Sequence, residues 1–134
     1  RSLNDNNKDI NVIREDDLKE DPNVKIIRVD GSLYFASIET IADYFNKLYE
    51  ANKVNNVLVL ANGINFIDLG AAEWLTNEVR KWQNTRGGIY FTDMKEVSQD
   101  VLKKGGFLEK IGKKVFFAEI DEALDEIHNV GKEV

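Results

Sequence analysis

Four short clusters carry residue types from which a site could be built: Asp30-Gly31-Ser32, Asn62-Gly63, Asp68-Leu69-Gly70-Ala71 and Thr92-Asp93. Carboxylates, a carboxamide and hydroxyls beside glycine suit recognition of a phosphate, a nucleotide or a partner loop, because glycine lets the backbone approach what is bound. The same residues have plainer uses, since Gly and Asn permit turns while Asp68 and Asp93 are natural helix caps. Neither G-x-G-x-x-G nor G-x-x-x-x-G-K-[ST] occurs, so no phosphate-binding glycine fingerprint is present. Nucleophilic chemistry has little to work with. There is no cysteine and no G-x-S-x-G, and Ser2, Ser32, Ser37 and Ser98 fall in lead-in, turn and helix contexts. His128, the single histidine, follows the inward-facing Ile127 near the chain end and reads as a surface or half-buried residue. Without cysteine, and with one histidine, neither a thiolate-ligated metal site nor a multi-histidine one can be assembled. The paired acids and late lysine of a receiver domain are not in the required order. The expectation is therefore a non-enzymatic chain with no catalytic residue, no metal and no cofactor.

The 134 residues suit one domain able to bury about two-thirds of its unfolded surface. A net charge of −6 argues against nucleic acid, whose affinity depends on Lys and Arg neutralising phosphates. The longest apolar run, residues 57–61, is far short of the roughly 18 residues of a membrane span. Residues 1–22 read as a polar, acidic lead-in closed by Pro22, with Ile10, Val12 and Ile13 available for an edge strand, and residues 23–134 as the compact domain.

Within that domain the hydrophobic period switches repeatedly. Residues 24–29 are β-branched and end at Asp30-Gly31, a turn signal, after which Leu33-Tyr34-Phe35 is expected as a short antiparallel strand. Ile38, Ile41, Ala42, Phe45, Leu48 and Tyr49 share one helical face behind Ser37 as N-cap. Residues 57–61 read as a central strand. Ala72, Leu75, Val79 and Trp82 stripe a second helix that starts at Asp68 and stops at Gly87-Gly88. Residues 89–92 form the next strand. Asp93 with Glu96 predicts a capping box for a third helix with Met94, Val97 and Val101 inward, ended by Gly105-Gly106. A strand at 115–117 and a last helix with Ile120, Ala123, Leu124 and Ile127 inward complete the order. Strands alternating with helices predict an α/β fold with a mixed, mostly parallel sheet of four to six strands and about four packed helices. The four clusters then gather where ligands bind such sheets, beyond the carboxyl ends of the strands.

Two features lie outside that pattern. Lys103, Lys104, Lys110, Lys113 and Lys114 crowd one stretch and the acids at 119, 121, 122, 125 and 126 the next. The lysines suit anions or lipid headgroups, and the plainer reading is solvated faces with partial compensation. Trp74 sits off the stripe of its helix, as a contact to a neighbouring helix or an exposed docking residue.

Several of these segments, in order, resemble one family. Residues 24–36, with Asp30-Gly31 before Phe35-Ala36, are similar to the opening of STAS domains in SulP-type anion transporters. Residues 62–68, Asn-Gly-Ile-Asn-Phe-Ile-Asp, resemble the signature shared with bacterial anti-sigma factor antagonists. Ala72-Glu73-Trp74-Leu75 resembles the transporter branch, and Gly105-Gly106-Phe107, Ile111-Gly112 and Val115-Phe116 the family ending. After the Asp the family pattern places a variable residue, often Ser or Thr, then Gly, whereas here Leu69, Gly70 and Ala71 stand there. In antagonists that hydroxyl is phosphorylated, so with Gly70 no phosphorylation is expected at this position. The resemblance implies a regulatory domain on the cytoplasmic side of the membrane, carried by an anion (sulfate) transporter. Its implied partner is the transmembrane domain of the same protein, with a homodimer or another cytoplasmic protein as further partners. The alternatives are a stand-alone anti-sigma-antagonist-like protein and a weak nucleotide-binding module using the strand-end loops.

Overall fold

The computed structural model describes residues 12–16 and 21–132. Strands β1 (Val12–Glu15), β2 (Val24–Leu33), β3 (Asn56–Leu60), β4 (Ile64–Ile67), β5 (Gly88–Thr92) and β6 (Phe116–Phe117) alternate with five helices. These are α1 (Glu39–Ala51), α2 (Leu69–Thr85), α3 (Glu96–Lys104), α4 (Phe107–Ile111) and α5 (Ile120–Lys132). The sheet runs β1-β2-β3-β5-β6, with β4 paired to the far end of β2. All neighbours are parallel except β1, which lies antiparallel on β2. The expected α/β mixed sheet is what the chain forms.

The core follows from strand alternation. Val29, Val59 and Phe91 point to one face, where Ile41 and Phe45 of α1 and Leu75 of α2 close over them. Leu58 and Tyr90 point to the other, which α5 covers with Ala123 and Ile127. β3 is buried along its whole length, as its unbroken apolar run requires. Trp74 packs edge-on against Phe45 with ring centroids 6.1 Å apart, so it is the helix contact rather than a docking residue. On the sheet's antiparallel edge, Tyr44 of α1 donates a hydrogen bond to Glu15 of β1 at 3.1 Å. Burial, and then the Glu15 carboxylate, push the Tyr44 phenol above its ordinary range.

Several local expectations are corrected. Asp30-Gly31 is not a turn: β2 continues through it to Leu33, because Gly31, at φ 106°, gives its N–H to Gly63 O while the strand shifts register onto β4. Leu33 therefore ends β2, and Phe35 lies in a 3-10 turn rather than an antiparallel strand. Ser37 belongs to that turn, with its hydroxyl 3.5 Å from Tyr34 O, and α1 starts after Ile38 without a side-chain cap. Asp93 is not the cap of α3. It takes a left-handed φ of 53°, and Lys95 occupies the N-cap position. In this helix Ser98 and Leu102 are buried, and Val97, expected inward, is 51% exposed. Finally, α4 is a short helix between Gly106 and Gly112, both with positive φ, that the periodicity of so few residues does not reveal.

Candidate functional site

Asp68 organises the corner where β2, β4 and α2 meet. Its Oδ1 accepts the Ala71 N–H at 2.8 Å, capping α2, and both its carboxylate oxygens lie 3.2 Å from the Phe35 N–H. Its own N–H is given to Leu33 O at 3.0 Å. One side chain thus caps a helix and fixes the turn leaving β2. The turn is pressed so closely onto α2 that a Cβ on Gly70 would stand 2.7 Å from Phe35 Cβ. Ala71 is buried beneath, but Leu69 and Phe35 point outward at 64% and 60% exposure. Phe66, 40% exposed and two residues before Asp68, has its ring 5.9 Å from that of Tyr34, the residue before Phe35. An apolar corner is left open to solvent.

A second group lies on the α5 side of the same sheet edge. Asn62, Thr92 and Asp93 line an open cleft of about 430 Å³ with Arg28, Leu60 and residues 118–121. Asp30 belongs to this neighbourhood through its ion pairs with Arg28 at 3.4 Å and Arg14 at 2.8 Å. A side chain at Gly63 would have to displace the Asp30 carboxylate, whose Oδ1 a Cβ there would overlap. Ser32 and Gly31 sit inside β2. The strand-end residues therefore form two places, an apolar corner around Asp68 to Ala71 and a polar cleft around Asn62, Thr92 and Asp93. Residues missed in the sequence are Phe35, Arg28 and Lys95, whose Nζ lies 2.7 Å from Asn65 Oδ1. Arg28 had one weak signal, a cation within a β-branched strand that also carries Lys25. His128 is half exposed and pairs with Asp21 at 2.7 Å. Among the described residues no group of three or more His, Cys, Asp or Glu side chains could hold a metal, and no helix is long and apolar enough to cross a membrane.

An alternating sheet with a short β4 added to β2, and a helix capped by the Asp of Asn-Gly-x-x-Phe-Ile-Asp, define the class. Residues 17–123 match the STAS domain model, and the chain belongs to the STAS domain family. It is 27% identical over 104 residues to a putative sulfate transporter of Bacillus subtilis, covering 78% of this chain and 19% of that protein. It is 23% identical over 112 residues to the chloroplastic sulfate transporter 4.1 of Arabidopsis thaliana, covering 75% and 16%. The chain thus spans less than a fifth of these curated relatives. Among solved structures, the fold is similar to that of the murine Slc26a9 anion transporter, with a TM-score of 0.75 at 15% identity over 95% of this chain and 24% of that one. It is also similar to the unphosphorylated anti-sigma factor antagonist SpoIIAA, with a TM-score of 0.65 at 15% identity over 88% and 97%.

Proposed function

We propose that this domain works without catalysis, as the cytoplasmic regulatory and interaction domain of a SulP-type anion transporter, sulfate being the anion its relatives suggest. It acts by protein contact, and its main partner is the transmembrane domain of the same transporter. The observation carrying this reading is the corner formed by Phe35, Phe66 and Leu69 around Asp68. Three large apolar side chains left in solvent around one capping residue are typical of a surface that another protein covers. The sulfate-transporter relatives supply the kind of partner.

A second reading, a stand-alone signalling antagonist, is favoured by the near-complete coverage of the SpoIIAA chain. Against it stands Gly70, which offers no hydroxyl and whose side-chain space is filled by Phe35. A third use, weak nucleotide binding, would fall to Arg28, Asn62, Thr92 and Asp93 in the cleft, with Asp30 alongside.

A photoreactive amino acid at Leu69, in the protein as its gene encodes it and in its own cells, tests the first reading. Crosslinks to transmembrane segments or their cytoplasmic loops are expected. Crosslinks confined to a soluble kinase would overturn it in favour of the second.

A further inference from the structure

The lysines between residues 103 and 114 are not absorbed by the function proposed above. Residues 103–114 hold five lysines against Glu109, a local +4 in a chain of net −6. Their placement divides them. Lys113 Nζ is 2.7 Å from the Tyr90 hydroxyl, and Lys114 Nζ lies 5.0 Å from the Phe117 ring centroid, so both are drawn against the sheet. Lys103, Lys104 and Lys110 are exposed, as Lys114 is, and no described carboxylate lies within ion-pair distance of these three.

All three lie on the short helix–turn–helix segment formed by α3 and α4. Lys103 and Lys104 end α3, Gly105 and Gly106 reverse the chain, and the Lys110 Cε lies 3.8 Å from where a Gly106 Cβ would be, beside the one acid of the segment, Glu109, whose Oε1 is 3.7 Å from the same point. Leu102, Phe107 and Ile111 anchor both helices in the core, so the turn is a rigid knob. On it, beside the lysines, Leu108 is 46% exposed.

We propose that this α3–α4 knob docks on an anionic lipid surface, with Lys103, Lys104 and Lys110 meeting headgroup phosphates and Leu108 entering the interface. Clustered lysines beside one apolar residue are how peripheral proteins hold a charged bilayer, each cation adding a similar increment of attraction. Nucleic acid is disfavoured by the strongly acidic remainder of the chain, which a bilayer need not approach. The proposal rests on the transporter reading in that such a domain is held near a membrane. The Leu69 crosslink tests that reading separately, so the two can fail independently.

Co-sedimentation of the 134-residue chain with vesicles decides the matter. Vesicles of phosphatidylcholine with about 30 mol % phosphatidylglycerol are expected to bind it at low salt, and to release it at about 0.5 M NaCl. Each of Lys103→Gln, Lys104→Gln and Lys110→Gln should lower partitioning about fivefold, and Leu108→Ser should lower it as well. Lys47→Gln, which makes the same change of net charge on α1, should leave it near wild type. Equal binding to pure phosphatidylcholine, no binding to either vesicle, or indifference to the three lysine changes would overturn the proposal. So would glycerol phosphate in solution binding the same lysines as tightly as the vesicles do, which would mark a free-anion site.

Discussion

Gly70 and Phe35 occupy one space between them. The first turn of α2 and the 3-10 turn after β2 approach so closely that a side chain at residue 70 would have to start 2.7 Å from Phe35 Cβ and 3.0 Å from its Cγ. The position where the family resemblance places a Ser or Thr is therefore both empty of a hydroxyl and closed to one. The apolar ring that closes it is itself exposed, so the corner presents a hydrophobic face where a switchable hydroxyl would otherwise stand.

Gly70→Ser should destabilise the fold by about 1–3 kcal/mol, the usual range for overpacking. Phe35→Ala keeps the offending Cβ and should relieve little of this, whereas Phe35→Gly removes it. A double-mutant cycle by urea denaturation is expected to give a coupling of at least about 1 kcal/mol between Gly70→Ser and Phe35→Gly. Additive effects would mean the two residues do not share the space.

Asp68→Ala removes the cap of α2 and the acceptor for the Phe35 N–H together. A lost N-cap costs about 1 kcal/mol, and the unpaired N–H adds to it, so a loss of about 2–3 kcal/mol is expected. Asp68→Asn keeps an oxygen for Ala71 and should lose less than half as much. Faster amide exchange should appear at both Phe35 and Ala71, because one carboxylate serves both.

Gly63→Ala pushes the Asp30 carboxylate aside and so separates it from Arg14 of β1. Both partners are partly exposed, so global stability should fall by about 1 kcal/mol or less. The sharper effect is local: hydrogen exchange at Ile13 and Arg14, on the edge strand, should speed up more than exchange in β3.

Alkaline pH should weaken the fold through Tyr44. Its phenol is raised by burial first and by Glu15 second, so on raising the pH the unfolded chain loses that proton before the folded one does. The folded state then binds more protons, and stability falls as pH rises. The contribution is intact below about pH 10, the ordinary tyrosine value, and is lost progressively above it. Absorbance titration should show a late-ionising tyrosine that disappears in Tyr44→Phe, and the variant's stability should depend less on pH in that window.

Much of the framework was legible in the residues because its signals are local. The stripes Ile41 and Phe45, and Ala72, Leu75, Val79 and Trp82, are buried as their spacing predicts, and residues 57–60 form the fully covered strand. Asp68 was recognisable as a cap from its place before an amphipathic run. Elements defined by what lies beside them were not legible. Asp30-Gly31 looks like a turn to any local rule, and becomes strand because Gly63 and Ile64 arrive from thirty-odd residues away to pair with it. Val97, expected inward, lies outward in an α3 whose N-cap is Lys95 rather than the Asp93 that the local capping pattern points to.

By itself the sequence determined the fold class, the main strands and the four longer helices, the family resemblance, and the missing hydroxyl at Gly70. Periodicity, caps and side-chain chemistry are properties of short stretches, and they survive being read one stretch at a time. The tertiary structure alone decided that Phe35 fills the space at Gly70, that Phe35, Phe66 and Leu69 stay open to solvent around Asp68, and that Lys113 reaches the Tyr90 hydroxyl and Lys114 the Phe117 ring. Each of these depends on which surfaces meet after the sheet has closed, and burial and proximity are set by that meeting rather than by any single segment.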